Sequence, residues 1–265
     1  MAQFHVLVGA TVTPARPSIR SIGAADLKRA LLKGFDDFLA FPSHAVFLCL
    51  IYPVVGILLG RLALGYAVLP LLFPLAAGFA LLGPLAAIGL YEMSRRREAG
   101  LPVSWQHVFD VLRSPSIGAI AALGLLLTVI FLIWLATAQA IYQGLFGVDH
   151  APASVEQFVQ EVFFTGAGWK LILIGNGVGF LFALVALTIS VVSFPLLLEH
   201  DVGAPVAVLT SVRAVLANPG AMALWGLIVA VLLALGSLPF FLGLTVVMPV
   251  LGHATWHLYR RLVSP

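Results

Sequence analysis

The chain has 265 residues, 61% of them hydrophobic and only 9% charged, with a formal net charge of +3. A soluble domain could not hide that much apolar surface, so the composition excludes a soluble globular protein and puts the chain in the membrane class. The small positive excess does not point to nucleic acid, because the basic residues fall in gaps between apolar stretches and form no basic stripe with interleaved aromatics.

In chain order, residues 1–20 open with MAQFHVLVGATVTPARP, which lacks a basic n-region and a long apolar core. They predict a flexible cytoplasmic tail, not a cleaved signal peptide, ahead of one membrane domain over 21–265. Next, in AADLKRALLKGFDDFLAFP, Leu27, Leu31, Phe35 and Phe38 recur on one helical face. This predicts an amphipathic helix over Asp26–Leu39 lying in the membrane interface, with Asp26, Asp36 and Asp37 on its solvated side. Pro42 follows, then a first span over Ser43–Gly60 that holds His44, the ordinary pair Gly56 and Gly60, and the lone cysteine Cys49. A single cysteine rules out an intrachain disulfide. The second span runs over Tyr66–Leu90 and leads into GLYEMSRRR.

A second amphipathic helix is expected over Ser104–Arg113, with Ser104 as N-cap, Trp105, Val108 and Leu112 on one face, and Pro115 closing it. The third span covers Ser116–Tyr142. The segment Gly144–Trp169 contains SVEQFVQEVFF, where Ser154 and Gln157 form the pattern of a capping box, and its acids Asp149, Glu156 and Glu161 suit the outer face. It reads as a short interfacial helix, with a partner-docking surface as the alternative. The fourth span, Leu171–Leu198, opens with Asn176 among Gly175, Gly177 and Gly179. Small residues and an amide suit close helix packing; the sharper reading is a locally unwound substrate site. A third amphipathic helix is expected over Val206–Ala217, with Pro205 in its first turn, Leu209, Val212 and Leu216 on one face, and Pro219 after it. The fifth stretch, Ala221–Gly236, is short: either a short span or half of a tight hairpin with the sixth, Leu238–Tyr259.

These elements predict an all-α polytopic protein of six transmembrane helices, arranged as three repeated hairpins, each preceded by an amphipathic helix and a proline. Twelve of the fourteen Lys and Arg residues lie in alternate gaps, leaving only Arg61 and Lys170 in the others. Positive charge stays on the cytoplasmic side, so both termini are expected there.

The returning arms of the hairpins bring polar residues to one level: Glu92, then Glu199 and His200, then His253 and His257. Imidazole and carboxylate together suit a transition metal, and His253 with His44 suits haem. Proton or ion handling is a further reading, and interhelical hydrogen bonding is the plainest. A buried imidazole needs a partner, so His253 is expected to hydrogen-bond inside the bundle, with Glu199 or a backbone carbonyl. No nucleophile with its base, phosphate-cradling loop or Cys/His framework appears, so neither an enzyme nor a cofactor is expected.

The segments GFALLGPLAAIGLYEMSRRREAG, VVSFPLLLEHDVGAP, TSVRAVLANP and PVLGHATWHLYRRLV resemble a bacterial family of predicted integral membrane proteins, number two-one-eight-nine of the domain-of-unknown-function series. The resemblance implies a bacterial inner-membrane protein without an assigned activity, and leaves a loose link to respiratory complexes open. The expected function is a non-enzymatic accessory or assembly component of a membrane complex. The alternative is a small-molecule, ion or lipid transporter using the Glu/His side, although the spans offer it only Asn176, Thr188, Ser190, Ser193 and Thr245 as a polar path. Expected partners are the lipid bilayer and either other membrane proteins or further copies of the chain, and not nucleic acid.

Overall fold

Helix accounts for most of the computed structural model, which describes residues 17–41, 54, 69–239 and 241–264. The expected first span apart from Val54, with His44, Cys49 and Gly56, lies outside the described residues, as do the start of the second span and residues 1–16 of the expected tail. Among the described residues, four helical runs are long and apolar enough to cross a membrane: Leu69–Glu98, Ile117–Phe146, Gly166–Glu199 and Pro219–Ser237. The protein is an all-α membrane protein, with one departure. A two-residue antiparallel pair, β1 (Ser18–Ile19) with β2 (Val263–Ser264), joins the two ends of the chain.

The helices are α1 (Ala24–Ala40), α2 (Leu72–Phe79), α3 (Gly83–Ala86), α4 (Ile88–Glu98), α5 (Ile117–Phe146), α6 (Val155–Phe164), α7 (Gly166–Ser190), α8 (Ser193–Glu199), α9 (Ala204–Ala217), α10 (Pro219–Ser237) and α11 (Leu244–Leu262). A 3-10 helix covers Trp105–Arg113. The three amphipathic helices expected from sequence are thus α1, the 3-10 helix and α9. Each ends at an extended or irregular residue just before a proline, Phe41, Ser114 or Asn218, as the clash of the proline ring with a preceding helical residue requires. Two expected boundaries move. The second helical run continues to Glu98, beyond Leu90. The last helix starts at Leu244, not Leu238, and it is not among the apolar runs, because its second half carries His253, His257, Arg260 and Arg261.

The chain divides into two compact units. The first comprises residues 1–53, 83–125 and 187–265. In it α1 lies along α11, α4 packs on α11, the 3-10 helix packs on α4, and α9 packs on α8. Glycine makes two of these contacts possible. A Cβ on Gly34 would come within 2.5 Å of the Ala254 backbone nitrogen, and a Cβ on Gly89 would overlap the Val108 side chain. The buried side chains Tyr91, Phe194, Trp225, Trp256 and Tyr259 fill this core. Asn218 fastens the N-terminal segment to it. Its Oδ1 accepts from the Ile22 amide at 2.8 Å, and its Nδ2 donates to the Arg20 carbonyl at 3.1 Å. Gly203 starts α9 with φ 76°, a backbone region that disfavours a side chain.

The second unit comprises residues 54–82 and 126–186. Trp134 organises it. Its indole donates to the Pro74 carbonyl at 2.9 Å, and Phe182 lies 5.6 Å away between ring centres. Gly78 and Gly179 both abut the indole, close enough that a Cβ at either would crowd it. The expected short helix of the outer segment is α6. Ser154 caps it by accepting from the Gln157 amide at 3.1 Å. The Gln157 side chain accepts from the Ala153 amide and not from Ser154, so only half of the expected capping box forms. Glu161 on α6 meets His150 at 2.9 Å, and His150 stacks on Phe146. Burial raises the Glu161 pKa, but hydrogen bonds from His150 and Gln157 outweigh it and hold the carboxyl below its ordinary range.

Candidate functional site

The polar residues expected to converge, Glu92, Glu199, His200, His253 and His257, are all in the first unit, but they form three small centres and not one pocket; Asn176, a separate candidate, is in the second. The first centre is built around Asp37. Leu27, Ala30, Gly34 and Asp37 fall on one face of α1, and that face is buried. The close approach of Gly34 to α11 carries Asp37 inward with it, and its side chain is only 6% exposed. The carboxylate accepts three hydrogen bonds: from Ser94 Oγ of α4 at 2.5 Å, from His257 Nε2 of α11 at 2.8 Å, and from Arg97 of α4. Burial raises its pKa, and these donors, His257 and Ser94 ahead of Arg97, outweigh burial, so Asp37 titrates below the usual carboxylate range.

Ser94 links this centre to His253. The serine hydroxyl gives its one hydrogen to Asp37, so it accepts from His253 Nδ1 at 2.8 Å. That tautomer leaves a lone pair on His253 Nε2. The atom is fully buried and has no hydrogen-bond partner among the described residues. His253 is therefore inside the bundle as expected; of the partners expected, Glu199 or a backbone carbonyl, Glu199 is replaced by Ser94, and the Leu90 backbone adds a weaker favourable contact to the ring.

The second centre is Glu92, which is 2% exposed. Arg95 holds it with two bonds of 2.7 and 2.8 Å, and Arg96 lies 3.8 Å away. Arg96 also reaches Asp110 at 3.3 Å and the Pro102 carbonyl at 2.9 Å, which ties α4 to the 3-10 helix. The third centre is Glu199 at the end of α8. It accepts from the Tyr259 hydroxyl and from Arg260 at 2.7 Å, with the exposed His200 3.6 Å away. Arg260 and the Trp256 indole, at 3.2 and 3.0 Å, then hold Glu98, so α4, α8 and α11 are linked.

The structure thus brings His253 and His257 together through Asp37 and Ser94, and leaves Glu92, Glu199 and His200 with other partners. Asp37 was expected on a solvated face and is instead the hub. The signal was in the sequence: it lies three residues beyond Gly34 on the stripe that includes Leu27 and Ala30. Nothing in the local pattern marked Ser94 or Arg97. Asn176 is exposed on an unbroken α7, without the local unwinding of the sharper reading, and donates to its own helix, at the Ile172 carbonyl, at 2.7 Å. Among the described residues, a Cβ added at Gly175 or Gly177 beside it would meet nothing within 4 Å, and Gly179 is the one of the three that serves packing. Among the described residues no group of three His, Cys, Asp or Glu side chains is placed to hold a metal ion.

These helices and ties define an integral membrane protein, with buried charges engaged in joining its helices. The family described as Predicted integral membrane protein (DUF2189) matches residues 72–199, and over that stretch the chain is similar to it. Glu92, Ser94, Arg97 and Glu199 lie inside the matched residues, while Asp37, His253 and His257 lie outside them. No curated protein and no solved structure matches the chain.

Proposed function

We propose that this protein is a non-enzymatic accessory or assembly component of a bacterial inner-membrane complex. In this reading three helical hairpins cross the membrane and both termini are cytoplasmic. The observation that carries it is the pairing of the polar groups. Asp37, Glu98 and Glu199 are each engaged by arginine or histidine from a neighbouring helix, and these pairs join α1, α4, α8 and α11, while Glu92 is paired with Arg95 and Arg96 of its own helix. Groups that neutralise one another in this way hold a scaffold together and are not set out to receive a substrate.

Recurrence relative to the three prolines supports the three-hairpin arrangement. The residue four before each proline, Phe38, Val111 and Val215, is buried. On α1 and α9 the buried positions coincide further: Ala30 with Ala207, Gly34 with Ser211, and Asp37 with Ala214. Asp110 occupies the place of Asp37 before its own proline, and each meets an arginine of α4. The Gly236–Gly243 contact supports α10 and α11 as a tight hairpin, the arm expected for the fifth and sixth spans.

Purification in mild detergent, with mass spectrometry of retained proteins and an absorption spectrum, tests the reading. A stoichiometric protein partner is expected. Isolation of the chain alone with bound metal or a haem band would refute it. Proton or ion movement is the second reading, favoured by one observation, the unpartnered Nε2 of His253. Proton-coupled flux in proteoliposomes that is lost in His253→Gln would replace the first reading with this one.

A further inference from the structure

The three amphipathic helices keep large apolar residues on the surface at matching positions. Ten residues before each proline stand Leu32, Trp105 and Leu209, and three before it stand Leu39, Leu112 and Leu216, all of them exposed. The most open, Leu216, is 72% exposed. The buried residue four before the proline shows that the other face of each helix already has its protein partner. Two of these helices are tied closely to a membrane-crossing helix. One residue, Asn218, separates α9 from α10, and Ser114–Ser116 separate the 3-10 helix from α5. At about 3.5 Å per residue those links hold the near end of each apolar stripe within roughly 15 Å of the point where a span begins. The surface available to the stripe there is the bilayer itself.

Charge says which bilayer surface. Every arginine on α4 and α11 meets a carboxylate. The cations on the three amphipathic helices mostly do not. Among the described residues Lys28, Lys33 and Arg213 are exposed without an ion pair, and Arg113, 88% exposed, has its nearest carboxylate oxygen at 4.0 Å. The exposed Asp36 offsets one of them. An apolar stripe flanked by unneutralised cations fits the acyl–headgroup boundary of an anionic leaflet.

We propose that α1, the 3-10 helix and α9 bind acidic phospholipid headgroups, with Lys28, Lys33, Arg113 and Arg213 as the cations. The exposed residues ten and three before each proline sink into the acyl boundary. This rests on the interfacial-helix reading above and adds the class of lipid.

The test uses the full chain with Cys49→Ser, labelled with an environment-sensitive probe at Leu112→Cys or Leu216→Cys. It is reconstituted in phosphatidylcholine with or without phosphatidylglycerol, and a parallel native mass spectrum of protein from mixed micelles gives the lipids retained. Both probes should be quenched by acyl-brominated lipid. Phosphatidylglycerol should be retained over phosphatidylcholine, and the combined Lys28→Gln, Lys33→Gln, Arg113→Gln and Arg213→Gln chain should lose at least about fivefold of that preference, the worth of one surface cation. Lys170→Gln, on α7, should leave it unchanged. Quenched probes with no lipid preference, or a preference the four substitutions leave intact, would overturn the proposal while leaving the helices in the interface. Unquenched probes, with cysteines that crosslink between two copies, would overturn both and make these faces a contact between chains.

Discussion

Replacing Asp37 by alanine removes the acceptor for Ser94, His257 and Arg97 together. Arg97 is 40% exposed and turns to water, so its loss costs little. Ser94 and His257 are buried, and each donor left unmade costs about 1–3 kcal/mol. The total is on the order of 3–5 kcal/mol, the range for breaking a buried ion pair from one side. At about 2–4 °C per kcal/mol for a domain of this order of size, the apparent midpoint should fall by roughly 10 °C. The assay is thermal aggregation in one detergent at a fixed heating rate, because unfolding of a membrane protein is read as a rate. Asp36→Ala is the internal control: it changes the next residue, which is exposed, and should shift stability by no more than about 0.5 kcal/mol. Equal midpoints for Asp37→Ala and Asp36→Ala would refute the claim that the Asp37 centre holds α1 to α4 and α11.

The pH dependence follows from the same carboxylate. Its folded-state pKa lies below the unfolded value, so its contribution is fully present above the unfolded pKa of about 3.9 and is lost as pH falls through the folded one. Midpoints measured from pH 7 downward should therefore fall more steeply in the parent chain than in Asp37→Asn; parallel curves would count against it. Gly34→Ala should destabilise by about 1–3 kcal/mol, because its Cβ meets the Ala254 backbone at 2.5 Å, whereas Gly175→Ala, in open helix surface, should be neutral or stabilising by up to about 1 kcal/mol. Ser94→Ala and His253→Ala should be non-additive by at least about 0.5 kcal/mol in a double-mutant cycle, since one hydrogen bond joins them. Reporter fusions after Arg97, Arg213 and Pro265 should signal cytoplasm and one at Ala153 the outer side; an outer-side signal at Arg97 would invert the proposed topology.

The sequence by itself determined the solvent and the local elements. Apolar runs of about 20 residues satisfy their own backbone in lipid only as helices, so α5, α7 and α10 were legible to within a few residues at most boundaries. The prolines at 42, 115 and 219 announced three amphipathic helices, because the residue before a proline is pushed out of the helical region, as Phe41, Ser114 and Asn218 are. What tertiary structure decided was pairing. Glu199 and His253 hold equivalent places after Pro195 and Pro249, yet register equivalence does not make two side chains neighbours. Packing gave Glu199 to Tyr259 and Arg260, and His253 to Ser94. Asp37 reads as one more charge on a polar face until the fold lets Gly34 close on Ala254, which carries the carboxylate out of water and among its donors. The strand pair joining Ser18–Ile19 to Val263–Ser264 was invisible for the same reason: two residues carry no periodicity, and only the packing of α1 along α11 brings the two ends of the chain within hydrogen-bonding distance.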